Sequence, residues 1–329
     1  MISQGKIISF HSFGDADQLH FTEAIEPKAS EYQVVVKIKA TALNRADILQ
    51  RRGKYPPPAG ESQILGLEIA GEIITCGERV TRWNPGDKVC GLISGGGYAE
   101  YAVIHEQHAM SIPKGLTFAE AAAIPEAFLT AWQALHWHAN IKNGQRVLLH
   151  AAASGVGSAA IQLIKKAGAE VIAVSSTEKH TLCKKLGASA CIDYKKESFS
   201  KRVEEMFGND GVDIIIDFIG ASHWEQNLAC LGTGGVFVLL GFLGGASPQT
   251  IPLQTLLQKR WTIKGSTLRN RDLNYKSQLI EDLVNHTWSD FAEGHLLPVI
   301  GEIFPWEEVI AAHSLMESNT SQGKIILTL

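Results

Sequence analysis

Through the first third of the chain, apolar and polar residues alternate in short runs: Lys6–Phe10, Gln33–Ala40, Glu68–Cys76, Lys88–Leu92 and Tyr98–Val103. A period of two predicts half-buried strands. Turn-forming clusters separate the runs, at Tyr55-Pro-Pro-Pro-Ala-Gly60, Asn84-Pro-Gly-Asp87 and Gly95-Gly-Gly97. Residues 1 to about 118 therefore predict an all-β, barrel-like unit. From Thr117 to about Ala139 the chain becomes alanine-rich and helical.

A regular alternation follows. Strands are predicted at 146–150, 170–174, Cys191–Asp193, Val212–Asp217 and Val236–Leu240, with helices at 155–167, 177–186, 198–207 and 223–231. Short continuous apolar strands alternating with helices are the period of a parallel sheet covered on both faces. After about Ser266 the pattern breaks into a polar helix near 273–293, a loop with Pro298, a helix near 306–317 and a terminal strand Lys324–Leu329. Some 60 residues of this kind make only a marginal core alone. The tail is therefore expected to complete the first unit, around an inserted nucleotide domain. The expected division is 1–120, 121–265 and 266–329.

Composition narrows the function classes. The 329 residues are 45% hydrophobic, with 30 basic and 34 acidic residues mixed along the chain for a net charge of −4. No basic stripe for nucleic acid and no polybasic membrane patch is present. The N-terminal residues lack a charged head followed by an apolar run, and no apolar run reaches the roughly 18 residues of a spanning helix. A cytoplasmic protein is expected. The five cysteines are odd in number and far apart, which predicts reduced thiols. His105-x-x-His108 and His136-x-His138 lack the spacing of a helical metal pair, and no metal site is expected from them.

The chemistry concentrates at Ser154-Gly155-Val156-Gly157, between the strand ending at Leu149 and an apolar helix. A strand, a tight small-residue turn and a helix N-terminus make a pyrophosphate site, because unpaired N–H groups and the helix dipole point at the anion. Against the dinucleotide fingerprint the turn reads Ala152-x-Ser154-x-x-Gly157, so only one of three glycines is kept. A close-packed βα corner that binds nothing is the alternative. At the end of the next strand an NAD site carries an acid on the ribose hydroxyl, roughly 20 residues on. Here stand Ser175 and Ser176, with Lys179 following, which predicts NADPH. Glu178 competes for that position, or complements the helix dipole.

Across nearly its whole length the chain resembles the zinc-independent quinone oxidoreductases of the medium-chain dehydrogenase/reductase superfamily, closest to the p53-inducible branch. The likeness rests on Ala42-Leu-Asn44-Arg-Ala-Asp47, Gly53-x-Tyr55-Pro-Pro-Pro, Ile64-Leu-Gly-Leu-Glu68, Ala121-Ala-Ala-Ile-Pro-Glu126-Ala-x-Leu-Thr130, Ser154-Gly-Val-Gly157, Lys185-Leu-Gly-Ala188, Tyr194-Lys-Lys and Gly323-Lys-Ile325. It implies a GroES-like β-barrel catalytic domain with an inserted Rossmann domain, a homodimer, and a nicotinamide held between the domains. Zinc-containing relatives carry Gly-His-Glu where this chain has Gly66-Leu67-Glu68, and a four-cysteine lobe without counterpart here. Without that Lewis acid the expected acceptors stabilise negative charge themselves: quinones, or alkenes conjugated to a carbonyl.

The resemblance carries Asn44 and Tyr55 over as catalytic residues, although Asn44 also suits a helix cap and Tyr55 a packing role on the triproline turn. As cofactor-binding residues it adds Thr130, Tyr194, Ile219, Gly220, Gly241, Phe242, Leu243, Ser266, Thr267, Leu268 and Lys324. Tyr194 reads equally as a surface tyrosine and Lys324 as an edge-strand charge. The leading expectation is an NADPH-dependent quinone reductase. Its rivals are an enone or 2-enoyl thioester reductase, for which Arg45, Arg51, Arg52 and Lys54 suggest a basic entrance, and a non-catalytic NADPH-binding protein.

Overall fold

The computed structural model describes residues 4–248 and 250–329. The chain divides into two compact units: Met1–Leu129 with Leu268–Leu329, and Thr130–Thr267. Residues 121–129, expected with the nucleotide domain, thus belong to the first unit.

The first unit opens with β1 (Gln4–Phe10) and β2 (Leu19–Ile25), which pair antiparallel as a separate ribbon. β3 (Gln33–Ala42), α1 (Arg45–Arg51), β4 (Glu68–Cys76), β5 (Lys88–Leu92), β6 (Tyr101–His105) and β7 (Ala109–Ser111) follow, then α2 (Phe118–Ala122) and α3 (Pro125–Trp132). α3 runs across the changeover and continues as a π-helical turn, Gln133–His138.

The second unit contains β8 (Arg146–Leu149), α4 (Gly155–Lys166), β9 (Glu170–Val174), α5 (His180–Leu186), β10 (Ala190–Ile192), α6 (Phe199–Phe207), β11 (Val212–Asp217), α7 (Trp224–Cys230), β12 (Leu231–Leu239), α8 (Leu253–Lys259) and β13 (Thr262–Gly265). All neighbouring strands are parallel, in the order β10-β9-β8-β11-β12-β13. The strand order reverses between β8 and β11, which is where open α/β sheets bind ligands. Val147, Leu148, Val171, Ile172, Ile214 and Ile215 are fully buried because helices cover both faces. The repeat runs one unit further than the sequence pattern suggests, through α8 and β13. β12 also starts at Leu231 rather than Val236, so the Leu-Gly-Thr-Gly-Gly stretch is part of the strand and the helix before it ends at Cys230.

The tail carries α9 (Leu273–Glu293), β14 (Ile300–Pro305), α10 (Val309–Glu317) and β15 (Lys324–Thr328). Asp272 caps α9 by accepting from the Tyr275 N–H, and Gly294 at φ +76° ends it. β15 pairs with β14 and with Ala40–Ala42 of β3, whose other partner on that edge is β6 at Gln33–Lys37. The tail thus completes the first unit's sheet, in the order β14-β15-β3-β4-β5-β7. Leu43, Leu65, Tyr98, Trp306, Val309 and Leu327 form one shared core there. Among the described residues no helix is long and apolar enough to cross a membrane.

Candidate functional site

In the second unit, most of the expected cofactor residues gather at the carboxyl edge of the parallel sheet. Ser154 is the N-cap of α4, and its Oγ accepts from the Gly157 N–H at 3.0 Å. The hydroxyl hydrogen is left to donate outward, and the amides of Gly155 and Val156 precede the first i→i−4 bond of the helix. Gly157 has no room for a side chain, since a Cβ would lie 2.3 Å from the Ala151 carbonyl oxygen. That close approach is the function of the fingerprint's third glycine, helix against strand. Ala151 is left-handed at φ +46°, a conformation costing a non-glycine residue about 1–2 kcal/mol, in the turn where the fingerprint would place its first glycines.

At the end of β9, Ser175 and Ser176 are buried. Glu178 is closer to this position than a purely helix-capping role suggests: its Oε1 accepts from Ser176 Oγ at 2.5 Å, which pulls its pKa down. Lys195 Nζ lies 4.0 Å from the same oxygen, and Lys196 Nζ donates to Thr177 Oγ1 at 2.9 Å. Asp193, after β10, accepts from the Thr177 N–H at 3.1 Å and from its hydroxyl. The strand end expected to hold Lys179 alone is therefore flanked by three lysines. Tyr194 is half-exposed between Asp193 and these lysines, its ring 5.9 Å from that of His223.

The ends of β11 and β12 are bound to each other. Ile219 and Gly220 donate their N–H groups to the two Asp217 carboxylate oxygens at 2.8 and 2.9 Å. The Ile219 carbonyl accepts from Gly244, and the Phe218 carbonyl from Leu243. Gly220, at φ +79°, passes so near the second loop that a Cβ would lie 2.6 Å from Gly245 O. Gly241, Phe242 and Leu243 thus share one ledge with Ile219 and Gly220, where Phe242 and Leu243 are exposed. Ser266, just past β13, donates its N–H to Leu239 O, and its Oγ lies 3.0 Å from His138 Nε2. Thr267 is the last residue of this unit and Thr130 the first. Leu268 falls in the first unit, where it is buried as an apolar packing residue. Small residues, a capped helix terminus and flanking lysines fit the phosphates of a dinucleotide.

The first unit holds a buried polar cluster that the spacing of the sequence conceals. Glu68 on β4 is fully buried, and its Oε1 accepts from Lys324 Nζ at 2.6 Å and from Asn44 Nδ2 at 2.9 Å. Its Oε2 accepts from the Glu126 N–H at 2.8 Å. Lys324 Nζ also donates to Asn44 Oδ1 at 2.7 Å and Leu43 O at 3.0 Å. An ammonium has three hydrogens, and all three are used. Lys324, expected among the cofactor residues, pairs with Glu68 inside the first unit. Asn44, expected as a catalytic residue, is bound into the same cluster. The N–H of Asn44 is satisfied by Asp47 Oδ2 in the cap of α1, while its side-chain NH2 is directed at Glu68 and at Ala42 O, so it has no spare donor for a substrate oxygen. Leu67 is buried where zinc-containing relatives carry a histidine.

Tyr55 is half-buried, and its Oη makes no hydrogen bond among the described residues. The Arg269 guanidinium lies 5.5 Å from its ring centroid while donating to Gln50 Oε1 at 2.6 Å and Ser94 O at 2.8 Å. Burial and the nearby Glu126 push the Tyr55 pKa up. Glu126 itself is raised to about 7, chiefly by burial and then by the Glu68 charge, and its Oε2 has no partner among the described residues. Arg269 and Glu126 were not singled out from sequence as site residues, although Glu126 lies in a motif that carries the family likeness. Three of the four residues of the suggested basic entrance are committed elsewhere: Arg45 to Met316 O and Asn319, Arg51 and Arg52 to Glu317.

These features define a dinucleotide-dependent oxidoreductase with a GroES-like first unit. Residues 30–114 match the family described as alcohol dehydrogenase GroES-like domain, and residues 155–285 that described as zinc-binding dehydrogenase. The chain is 34% identical to a quinone oxidoreductase-like protein 2 homolog of Nematostella vectensis, over 90% of this chain and 81% of that one. Among solved structures it is similar to the Escherichia coli quinone oxidoreductase complexed with NADPH, with a TM-score of 0.87 and 28% identity over 98% and 100% of the two chains. CurK enoyl reductase is similar to the same degree, with a TM-score of 0.87 and 28% identity over 99% of each chain. The chain belongs to the medium-chain dehydrogenase/reductase superfamily, with the quinone oxidoreductases and quinone oxidoreductase-like proteins. It is an oxidoreductase of that superfamily.

Proposed function

We propose that this chain is an NADPH-dependent, zinc-independent quinone reductase. The observation that carries the cofactor choice is the end of β9, where Ser175 and Ser176 stand beside Lys179, Lys195 and Lys196. The lysines bind the 2′-phosphate by charge, displacing Glu178 from Ser176. Ser154, Gly155 and Val156 hold the pyrophosphate at the amino end of α4. Ile219, Gly220, Gly241, Phe242 and Leu243 wall the rest of the dinucleotide, with Ser266, Thr267 and Thr130 completing its binding. When bound, NADPH supplies a hydride. Glu68 is already neutralised by Lys324, and Leu67 ligates nothing, so the residues support an acceptor that spreads the incoming negative charge itself, as a quinone does. Tyr55, with an unused hydroxyl and a ring fixed by Arg269, orients that acceptor. The exposed Leu253 and Leu257 of α8, beside the edge strand β13, support a homodimer through that edge.

A second reading is favoured by Glu126: a carboxyl that keeps its proton near neutral pH suits the protonation step of a conjugated alkene reductase. Comparing NADPH oxidation by 1,4-benzoquinone and by crotonyl-coenzyme A separates the two. Faster turnover of the quinone is expected; faster turnover of the thioester selects the second reading, and NADPH binding without oxidation of either overturns both. Lys179→Ala is expected to weaken NADPH about tenfold, roughly 1.4 kcal/mol, with NADH unchanged. Equal losses for the two cofactors would remove the phosphate assignment.

A further inference from the structure

His150, in the residue just past β8, plays no part in the proposed chemistry, yet it is fully buried at the point where the strand order reverses. Its Nε2 lies 2.6 Å from Asn227 Oδ1. An amide oxygen only accepts, so Nε2 carries the hydrogen and the Nδ1 lone pair is left facing the opposite way. Nδ1 of His223 stands 3.3 Å from it. Two imidazole nitrogens on one tetrahedral zinc-like ion, each at ~2.0–2.1 Å, are about 3.3–3.4 Å apart. Asp217 supplies the third group: a carboxylate oxygen and the two imidazole nitrogens all lie within 4.8 Å of one another.

We propose that His150, Asp217 and His223 bind a borderline divalent transition metal ion, such as Zn2+, in the second unit. The surroundings are those of an oriented ligand set. Asn227 fixes the tautomer of His150, and the N–H groups of Ile219 and Gly220 fix the Asp217 carboxylate while leaving each oxygen a second lone pair. His223 is the partly exposed member, so a water completes the tetrahedron on its side. This site is distinct from the Gly66-Leu67-Glu68 position in the first unit, where no histidine is present. An ion here ties the end of β8 to the corner between β11 and α7. The same geometry without an ion is a hydrogen-bonded chain, His223 to His150 to Asn227, and the two states are separable.

The test is equilibrium dialysis of the full chain against Co2+ and Zn2+, followed by metal analysis, visible spectroscopy and thermal melting. The expected result is one ion retained per chain, intense visible bands of tetrahedral Co2+ without a thiolate charge-transfer band, and a higher melting temperature with metal. His223→Gln is expected to lower the affinity at least tenfold while keeping the far-ultraviolet circular dichroism and the metal-free melting temperature. Because His223 is only partly buried, this variant remains informative where His150→Gln fails to fold. No stoichiometric retention, a weak octahedral Co2+ spectrum, a thiolate band, or unchanged binding in His223→Gln would each overturn the proposal.

Discussion

The two units deploy polar groups in opposite ways. In the first, Glu68, Lys324, Asn44 and Asp47 satisfy one another in the interior, and the three Lys324 hydrogens end on protein acceptors. In the second, donors at the carboxyl edge of the sheet are held in place but left open, the amides of Gly155 and Val156 and the hydroxyl of Ser154, while Lys195 and Lys196 pair with groups at the exposed strand end. A saturated cluster maintains geometry, whereas open donors can still accept an anion. The difference comes from burial, because a buried charge must find its partner within the protein while an edge charge can find it in a ligand.

Removing one partner from the saturated cluster has the largest expected effect. Lys324→Met strands the Glu68 carboxylate and is expected to cost about 3–5 kcal/mol in urea unfolding, with part regained in the Glu68→Gln/Lys324→Met double variant. Should Lys324→Met instead leave stability intact and weaken NADPH more than NADH, the contrast between the units would fail at this residue. Gly157→Ala attacks the open array through its backbone support. The added methyl meets Ala151 O, so a loss of about 1–3 kcal/mol is expected, together with NADPH binding weakened about tenfold or more in a fluorescence titration. Unchanged binding would mean that the close approach of helix and strand does not shape the phosphate site.

The smallest effect sharpens the comparison through pH. Glu126 titrates at about 7 in the folded protein against an ordinary 4.5, so between those values the folded state keeps a proton that the unfolded chain has released. Stability from this group is therefore present below pH 4.5 and lost as pH rises to 7. Asp47, raised to about 6 by burial, contributes the same sign lower down, which leaves pH 6–7 as the window for Glu126. The imidazoles of His108, His150, His223 and His313, held below their ordinary value by burial, contribute the opposite sign over the same window, so Glu126→Gln is expected to make the melting temperature climb more steeply with pH there. An unaltered slope would place the proton elsewhere.

How much was legible depended on how local the signal was. Strands β4, β5, β9 and β11 were predicted to the residue and helix α9 closely, since alternation and continuous apolar runs act over a few neighbours. The short β7 and β14 were missed, being held by pairing with distant strands rather than by their own pattern. The Ser154 turn was readable because strand, turn and helix are contiguous. Lys195 and Lys196 went unused beside a quoted Tyr194, because their approach to β9 depends on strand pairing. The pairing of Lys324 was not legible, since nothing near it in sequence reveals that Glu68, 256 residues away, lies 2.6 Å from its ammonium.

The sequence by itself determined the two-unit architecture, the position of the strand–turn–helix at Ser154 and the absence of a histidine at position 67, because each is written in neighbouring residues. Tertiary structure alone decided which charges are spent and which remain open. It closed Lys324 and Asn44 onto Glu68, paired the arginines near Tyr55 with Glu317 and the end of α10, and brought His150 to Asp217 and His223 of the β11–α7 corner. The physical reason is that partnership between charged groups is set by distance in space and by burial, neither of which a local pattern encodes.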